Sequence, residues 1–131
     1  MLIGAVGDPL NWDRWPEAER LLEPARELFG DDTPALGVNE AVYVVLDGDE
    51  LLAVATAWLS SLGFAEVKLI GGRDHRRWLK ELDEAIGAAA RDAGAMRLTA
   101  IGRRGWWKTL KRLGWDRLGE IDDFFVFSRG L

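Results

Sequence analysis

The segment LIGGRDHRRWLKEL, Leu69 to Leu82, gathers the residues with the clearest chemical potential in the chain. An apolar run ends in Gly71-Gly72, and Arg73, His75, Arg76 and Arg77 crowd the start of a helical pattern. Glycine lets a ligand approach the backbone closely, and the first turn of a helix presents unpaired N–H donors at its positive end. Arginine adds a planar fork suited to phosphate. The segment therefore reads as a phosphate-binding turn made by Ile70, Gly71, Gly72, Arg73, His75, Arg76 and Arg77. Asp74 is the expected N-cap, and its carboxylate would repel a phosphate at that end.

A second cluster is RRGWWKTLKRLGW, residues 103–115. Basic residues interleaved with rings are what single-stranded nucleic acid binding uses. Helical spacing divides the cluster, however. Trp106, Leu110 and Leu113 share one face and read as core, Lys108, Lys111 and Arg112 share the other, and Trp107 is expected to be exposed. With a sequence pI near 4.9, nucleic acid is not favoured as a partner.

Several chemistries are excluded by composition. The chain has no cysteine and one histidine, His75, so disulfides, thiolate nucleophiles and a histidine-built metal site are not expected. No apolar run approaches the length of a membrane span, and the N-terminus has no secretion signal, so a cytoplasmic protein is expected. Charge is divided unevenly. Residues 1–66 carry 13 acids and 3 bases, and residues 67–131 carry 14 bases and 9 acids. Halves of opposite sign suit an anionic partner on one face, or two solvated surfaces that attract each other. Seven tryptophans exceed what a small core needs and leave room for interface rings, with Trp12 and Trp15 in the acidic segment.

The elements that must position these groups follow from periodicity. LIGAV (2–6) reads as a strand broken by GDPLN. Trp15, Ala18, Leu22, Ala25 and Phe29 form a helical stripe, but Pro24 predicts a kink or two short helices meeting at Leu22–Glu23. DDTPALGVNE reads as loop, AVYVVL (41–46) and LLAVATAWL (51–59) as a hairpin about DGDE, and EVKLIGG (66–72) as the next strand. A long helix from about Asp74 to Ala93 buries Trp78, Leu79, Leu82, Ile86, Ala89 and Ala93 and stops at Gly94. RLTAIG (97–102), a short basic helix, DRLGEI and FFVFS complete the chain. Residues 1–131 form one domain, an α/β (α+β) fold with a mixed, mostly antiparallel sheet of six to seven strands and about four helices.

This order, and above all EVKLIGG…WLKELDEAIGAAARDAGAMRLTAIGRRGWWKTLKRLGW, resembles the GNAT superfamily of acetyl-CoA-dependent N-acetyltransferases. The resemblance covers essentially the whole chain and implies a turn R-x-x-G-x-G/A that holds the pyrophosphate of CoA. Here that turn reads Arg73-Asp74-His75-Arg76-Arg77-Trp78, with arginine and tryptophan where small residues stand in the family, and by the resemblance the Trp78 ring would block the approach of the phosphate. The tyrosine that many members place four residues before the glycine of G-aromatic is replaced by Leu110, and the only tyrosine is Tyr43. By the same resemblance, Glu66 is the carboxylate placed to act as general base. The pattern GR-GW…L…GW also resembles small GNAT-like proteins of bacteriophages and prophages. Two functions follow. One is a catalytically degenerate GNAT-like domain acting as a binding or structural component, with other protein chains as partners, no cofactor, and, by the second resemblance, a place in a phage or prophage particle and so in a virion. The alternative is an acyl-CoA-dependent N-acetyltransferase using acetyl-CoA at an atypical phosphate turn.

Overall fold

Alternation of apolar and polar residues over β-branched runs builds seven strands into one sheet, and the spaces between them hold the helices. In the computed structural model, which describes residues 1–30 and 32–131, the order is β1 (Leu2–Val6), α1 (Trp15–Phe29), β2 (Glu40–Asp47), β3 (Glu50–Leu59), β4 (Phe64–Gly72), α2 (His75–Asp92), β5 (Arg97–Arg103), α3 (Trp107–Arg112), β6 (Asp116–Ile121) and β7 (Phe124–Gly130). Two 3-10 turns, Pro9–Asn11 and Arg104–Trp106, precede α1 and α3. Of the segment read as loop before β2, Asp31 lies outside the described residues. The sheet runs β1-β2-β3-β4-β5-β7-β6, and every neighbouring pair is antiparallel except β4–β5. No helix of the described residues is long and apolar enough to cross a membrane.

Among the described residues three α-helices form rather than about four, because Pro24 does not divide α1. Trp15, Ala18 and Leu22 face the sheet, whereas Pro24 and Arg20 are exposed. The carbonyl that Pro24 leaves without its helical donor is that of Arg20, on the solvent side, where water can satisfy it.

Each face of the sheet has its own core. On one, Trp15, Ala18 and Leu22 of α1 meet Val42, Val44, Val54 and Leu69. On the other, Trp78, Leu79, Leu82 and Ile86 of α2 meet Val45, Ala53, Ala55, Leu98 and Phe127. The approach of α1 to β4 is close. A Cβ at Gly71 would land on the carbonyl group of Leu21, and one at Gly72 would strike the backbone of β3 at Leu52–Ala53. These two glycines are therefore required by packing, whatever else they do.

Candidate active site

The site begins with pairing that stops. Phe64–Val67 of β4 pair with Arg97–Ala100 of β5, and beyond that point the two strands have no register with each other. β4 stays with β3 and β5 stays with β7, so the sheet splits. A bulge marks the fork. Thr56 of β3 faces Leu69 while Ala57 faces Val67, which leaves Lys68 as the extra residue of β4. Thr56 is fully buried beside this irregularity, and its Oγ1 has no hydrogen-bond partner among the described residues.

The split opens a cavity of about 120 Å³. Val67 and Ile70 of β4, Ala100 of β5 and Leu79 and Leu82 of α2 line it, and Leu28 and Phe29 line it from the α1 side. Phe29 also stacks on Phe124 of β7, with centroids 5.7 Å apart, so the end of α1 reaches across β5. The walls are mostly apolar. The charged side chains among them are Lys68, Asp83 and Arg103.

Trp78 does not enter this cavity. It is 1% exposed, packs in the α2-side core and donates its Nε1–H to the Arg73 carbonyl at 2.7 Å. The obstruction that the sequence suggests is thus an anchor for the turn. The rings that line the cavity are Phe29, Trp106, Trp115 and Phe127, and Trp106 meets His75 edge-on at 5.2 Å between centroids.

The basic turn separates into different uses. Arg73 lies 3.5 Å from Glu50 and donates to the Leu51 carbonyl at 3.3 Å, while Arg77 donates to Asp47 at 2.6 Å. Both tie the start of α2 to the β2–β3 hairpin. Arg76 makes no ion pair with a described residue and is exposed. Asp74 occupies the N-cap position in the left-handed region, at φ 56°, and its side chain makes no capping bond, contrary to the expected cap. No side chain therefore closes the first turn of α2, and its leading N–H groups have only backbone or solvent to meet. Of the turn residues singled out in the sequence, Ile70 lines the cavity, Gly71 and Gly72 pack against α1 and β3, Arg73 and Arg77 hold the hairpin, His75 meets Trp106, and Arg76 is exposed.

Glu66 lies below the fork, directly opposite Trp58 on β3, whose Nε1–H it accepts at 3.3 Å. It does not line the cavity. Tyr43 is also elsewhere. It borders a separate depression against the C-terminal half of α2, and burial pushes its phenol up from the ordinary value. Leu110, in the position the resemblance reserves for an acid, does line the cavity. Trp107, expected to be exposed, is half-buried and stacks on Phe127 at 6.1 Å. The other rings of the basic cluster are likewise turned into the fold, Trp115 being 5% exposed.

Two partly buried ion pairs border the cavity, and sequence reading gave neither. Glu40, whose side chain is 5% exposed, accepts from Lys68 Nζ at 2.7 Å and from the Gly37 N–H at 2.6 Å. Asp83 accepts from Trp115 Nε1 at 3.0 Å and faces Arg129 at 3.3 Å, and the Arg129 Nη2 donates to the Asp83 carbonyl at 3.2 Å. Although Arg129 Nε is within ion-pair range of Asp83, its N–H is not aimed well enough to count as a hydrogen bond. Gly87 of α2 makes room for this guanidinium, since a Cβ there would collide with it. Burial pushes the Asp83 carboxyl up from the ordinary aspartate value, against the opposing pull of Arg129 and of the Trp115 N–H. A sequence signal existed for each pair. Glu40 shares a strand face with the core residues Val42 and Val44, and Asp83 sits beside Leu82, four residues after Leu79, at the edge of the α2 apolar stripe.

No sequence-family profile and no curated protein matches the chain. Solved structures do match. An aminoglycoside 6'-N-acetyltransferase from Enterococcus faecium superposes with a TM-score of 0.77 at 13% identity, over 99% of this chain and 97% of its own. An IAA acetyltransferase from Bacillus cereus gives 0.73 at 13% identity, over 99% of both chains. A GNAT family acetyltransferase from Elizabethkingia anophelis, solved with acetyl-CoA bound, gives 0.70 at 12% identity, over 99% of this chain and 97% of that one. The seven-stranded sheet split between β4 and β5, with α1 on one face and α2 and α3 on the other, is the GNAT fold, present over essentially the whole of this chain.

Proposed function

We propose that the protein is an acyl-CoA-dependent N-acyltransferase, with acetyl-CoA as the first donor to test. The observation that carries this reading is the open, apolar cavity at the β4–β5 fork, which no ring fills. The degenerate reading drew on the broken small-residue turn, the missing tyrosine and the phage-like ending, and the ring at the second small position of that turn, Trp78, is buried in the α2-side core and leaves the fork open. The phage-particle reading has no support from the structural relatives, which are acetyltransferases.

The residues present fit such a donor. The uncapped first turn of α2 and Arg76, which pairs with no described acid, would hold its phosphates, and the fork would take its pantetheine arm. When bound, acyl-CoA supplies an acyl group activated as a thioester. The apolar walls keep water from that group, and Leu110 lines the cavity without a proton to offer. Glu66, on the strand below the fork, is the proposed acceptor of the amine proton.

Titration calorimetry with acetyl-CoA tests the reading, beside an Ala100→Trp variant that fills the fork. Micromolar binding lost in the variant supports it. An absence of heat with the folded wild-type protein removes it and returns the domain to a protein-binding role.

A further inference from the structure

We infer that Lys68 is a site of self-acylation: its Nζ accepts an acyl group from a thioester bound in the β4–β5 cavity, with Glu40 taking up the proton. This rests on the acyl-CoA reading of the same cavity. Three observations point to it. Lys68 is the bulged residue at the fork, so the strand irregularity that opens the cavity also sets this side chain on its wall. Lys80, Lys108 and Lys111, the other lysines of the chain, are exposed and do not line the cavity. Finally, the amine already touches a base. Glu40 lies 2.7 Å from Nζ, and the Gly37 N–H at 2.6 Å fixes the carboxylate by its other oxygen.

A nucleophilic nitrogen needs an adjacent proton acceptor and a water-poor place next to the electrophile. The Lys68 side chain is 26% exposed and that of Glu40 5%. A buried lysine–carboxylate pair is also weak evidence of a purely stabilising role, since an apolar pair of similar volume commonly serves a core as well. In the step, the ammonium gives one proton to Glu40, which passes it to water. The nitrogen lone pair then forms the amide bond to the thioester carbonyl carbon, the C–S bond breaks, and the departing thiolate takes the second nitrogen proton. The product is a neutral acyl-lysine and a free thiol.

The full chain is incubated with acetyl-CoA and followed by intact mass spectrometry and peptide mapping, with calorimetry on the same sample and Lys68→Arg as the control. One acetyl increment on Lys68, formed at least an order of magnitude faster than on any other lysine and absent from Lys68→Arg, is the expected result. Glu40→Gln should slow it by a similar factor. Thermal unfolding of the acetylated chain should shift to lower temperature, because Glu40 loses its cation. Acetyl-CoA binding with Lys68 no more modified than Lys80, Lys108 and Lys111 would overturn the inference and leave the acyl-CoA reading standing. Failure to bind acetyl-CoA at all would remove both.

Discussion

Two regions of β4 invite different readings from the same kinds of residue. At its end, Gly71, Gly72 and three arginines look like chemistry, yet the glycines are forced by α1 and β3 and two of the arginines are spent on the hairpin. A few residues earlier, at Val67–Lys68, the sequence looks like ordinary strand, yet the sheet forks there and a cavity opens. Residue type therefore marks a site poorly when the same residue also solves a packing problem. A site can instead consist of hydrogen bonds that two strands do not make.

The largest stability effect should come from the fork. Lys68→Ala leaves the Glu40 carboxylate with only the Gly37 N–H, and because the Lys68 side chain is itself 26% exposed the cost should be about 3 kcal/mol, the low end for breaking a buried pair. Urea unfolding measures it. A loss below about 1 kcal/mol would put the pair in the class of solvated surface pairs and remove the contrast with the hairpin arginines.

Gly71→Ala should come next, at about 1–3 kcal/mol, the cost of forcing an atom into a packed contact. The loss arises because α1 must move off β4, so unfolding should show it without any ligand. Unchanged stability with weakened acetyl-CoA binding would instead mark Gly71 as a ligand-facing glycine, and the two regions of β4 would then be alike.

Asp83 sharpens the comparison through pH. Its carboxyl is raised by burial, so its titration favours the folded state most at pH below the ordinary aspartate value. That contribution is lost as pH rises from the ordinary value through the raised one. Asp83→Asn should remove this slope, the amide standing in for the neutral carboxyl at every pH. Stability curves of both chains over the acid range measure it. An unchanged slope would mean that Asp83 titrates as a solvated carboxylate.

Much of the fold could be read from the sequence because it is written in short-range periodicity. Apolar patterning found each strand within a few residues, and Trp78, Leu79, Leu82 and Ile86 are buried on α2 as expected, whereas Ala89 is only partly buried, Ala93 is exposed and Gly87 and Ala90 complete the buried face. The division of α1 failed because proline propensity says nothing of which side of the helix meets water. The site was legible only in outline. Glu40 and Lys68 are 28 residues apart, and Asp83 and Arg129 are 46 apart. Such pairs depend on register and on a bulge, which sequence patterns do not carry. The resemblance to the GNAT superfamily found the fold, but the family turn pointed to Trp78 as a block because the sequence does not tell which way the ring turns.

The smallest effects divide the arginines of one turn. Arg77 and Asp47 are both about half exposed, and their hydrogen bond holds the Asp47 carboxyl below its ordinary value. The pair therefore contributes above the ordinary aspartate value, and that contribution fades as pH falls through the lowered one. Solvent and salt screen it, so Arg77→Ala should leave the unfolding midpoint nearly unchanged at physiological ionic strength and should not alter acetyl-CoA affinity. Arg76→Ala should also leave stability unchanged, since Arg76 holds no described acid. It should, however, weaken acetyl-CoA binding by about tenfold, the worth of one charge-assisted phosphate contact, and flatten its dependence on salt. Equal affinities for the two variants would show that the arginines act only as a diffuse field. A larger loss for Arg77→Ala would mean that it leaves Asp47 for the ligand, and the hairpin would then belong to the binding site.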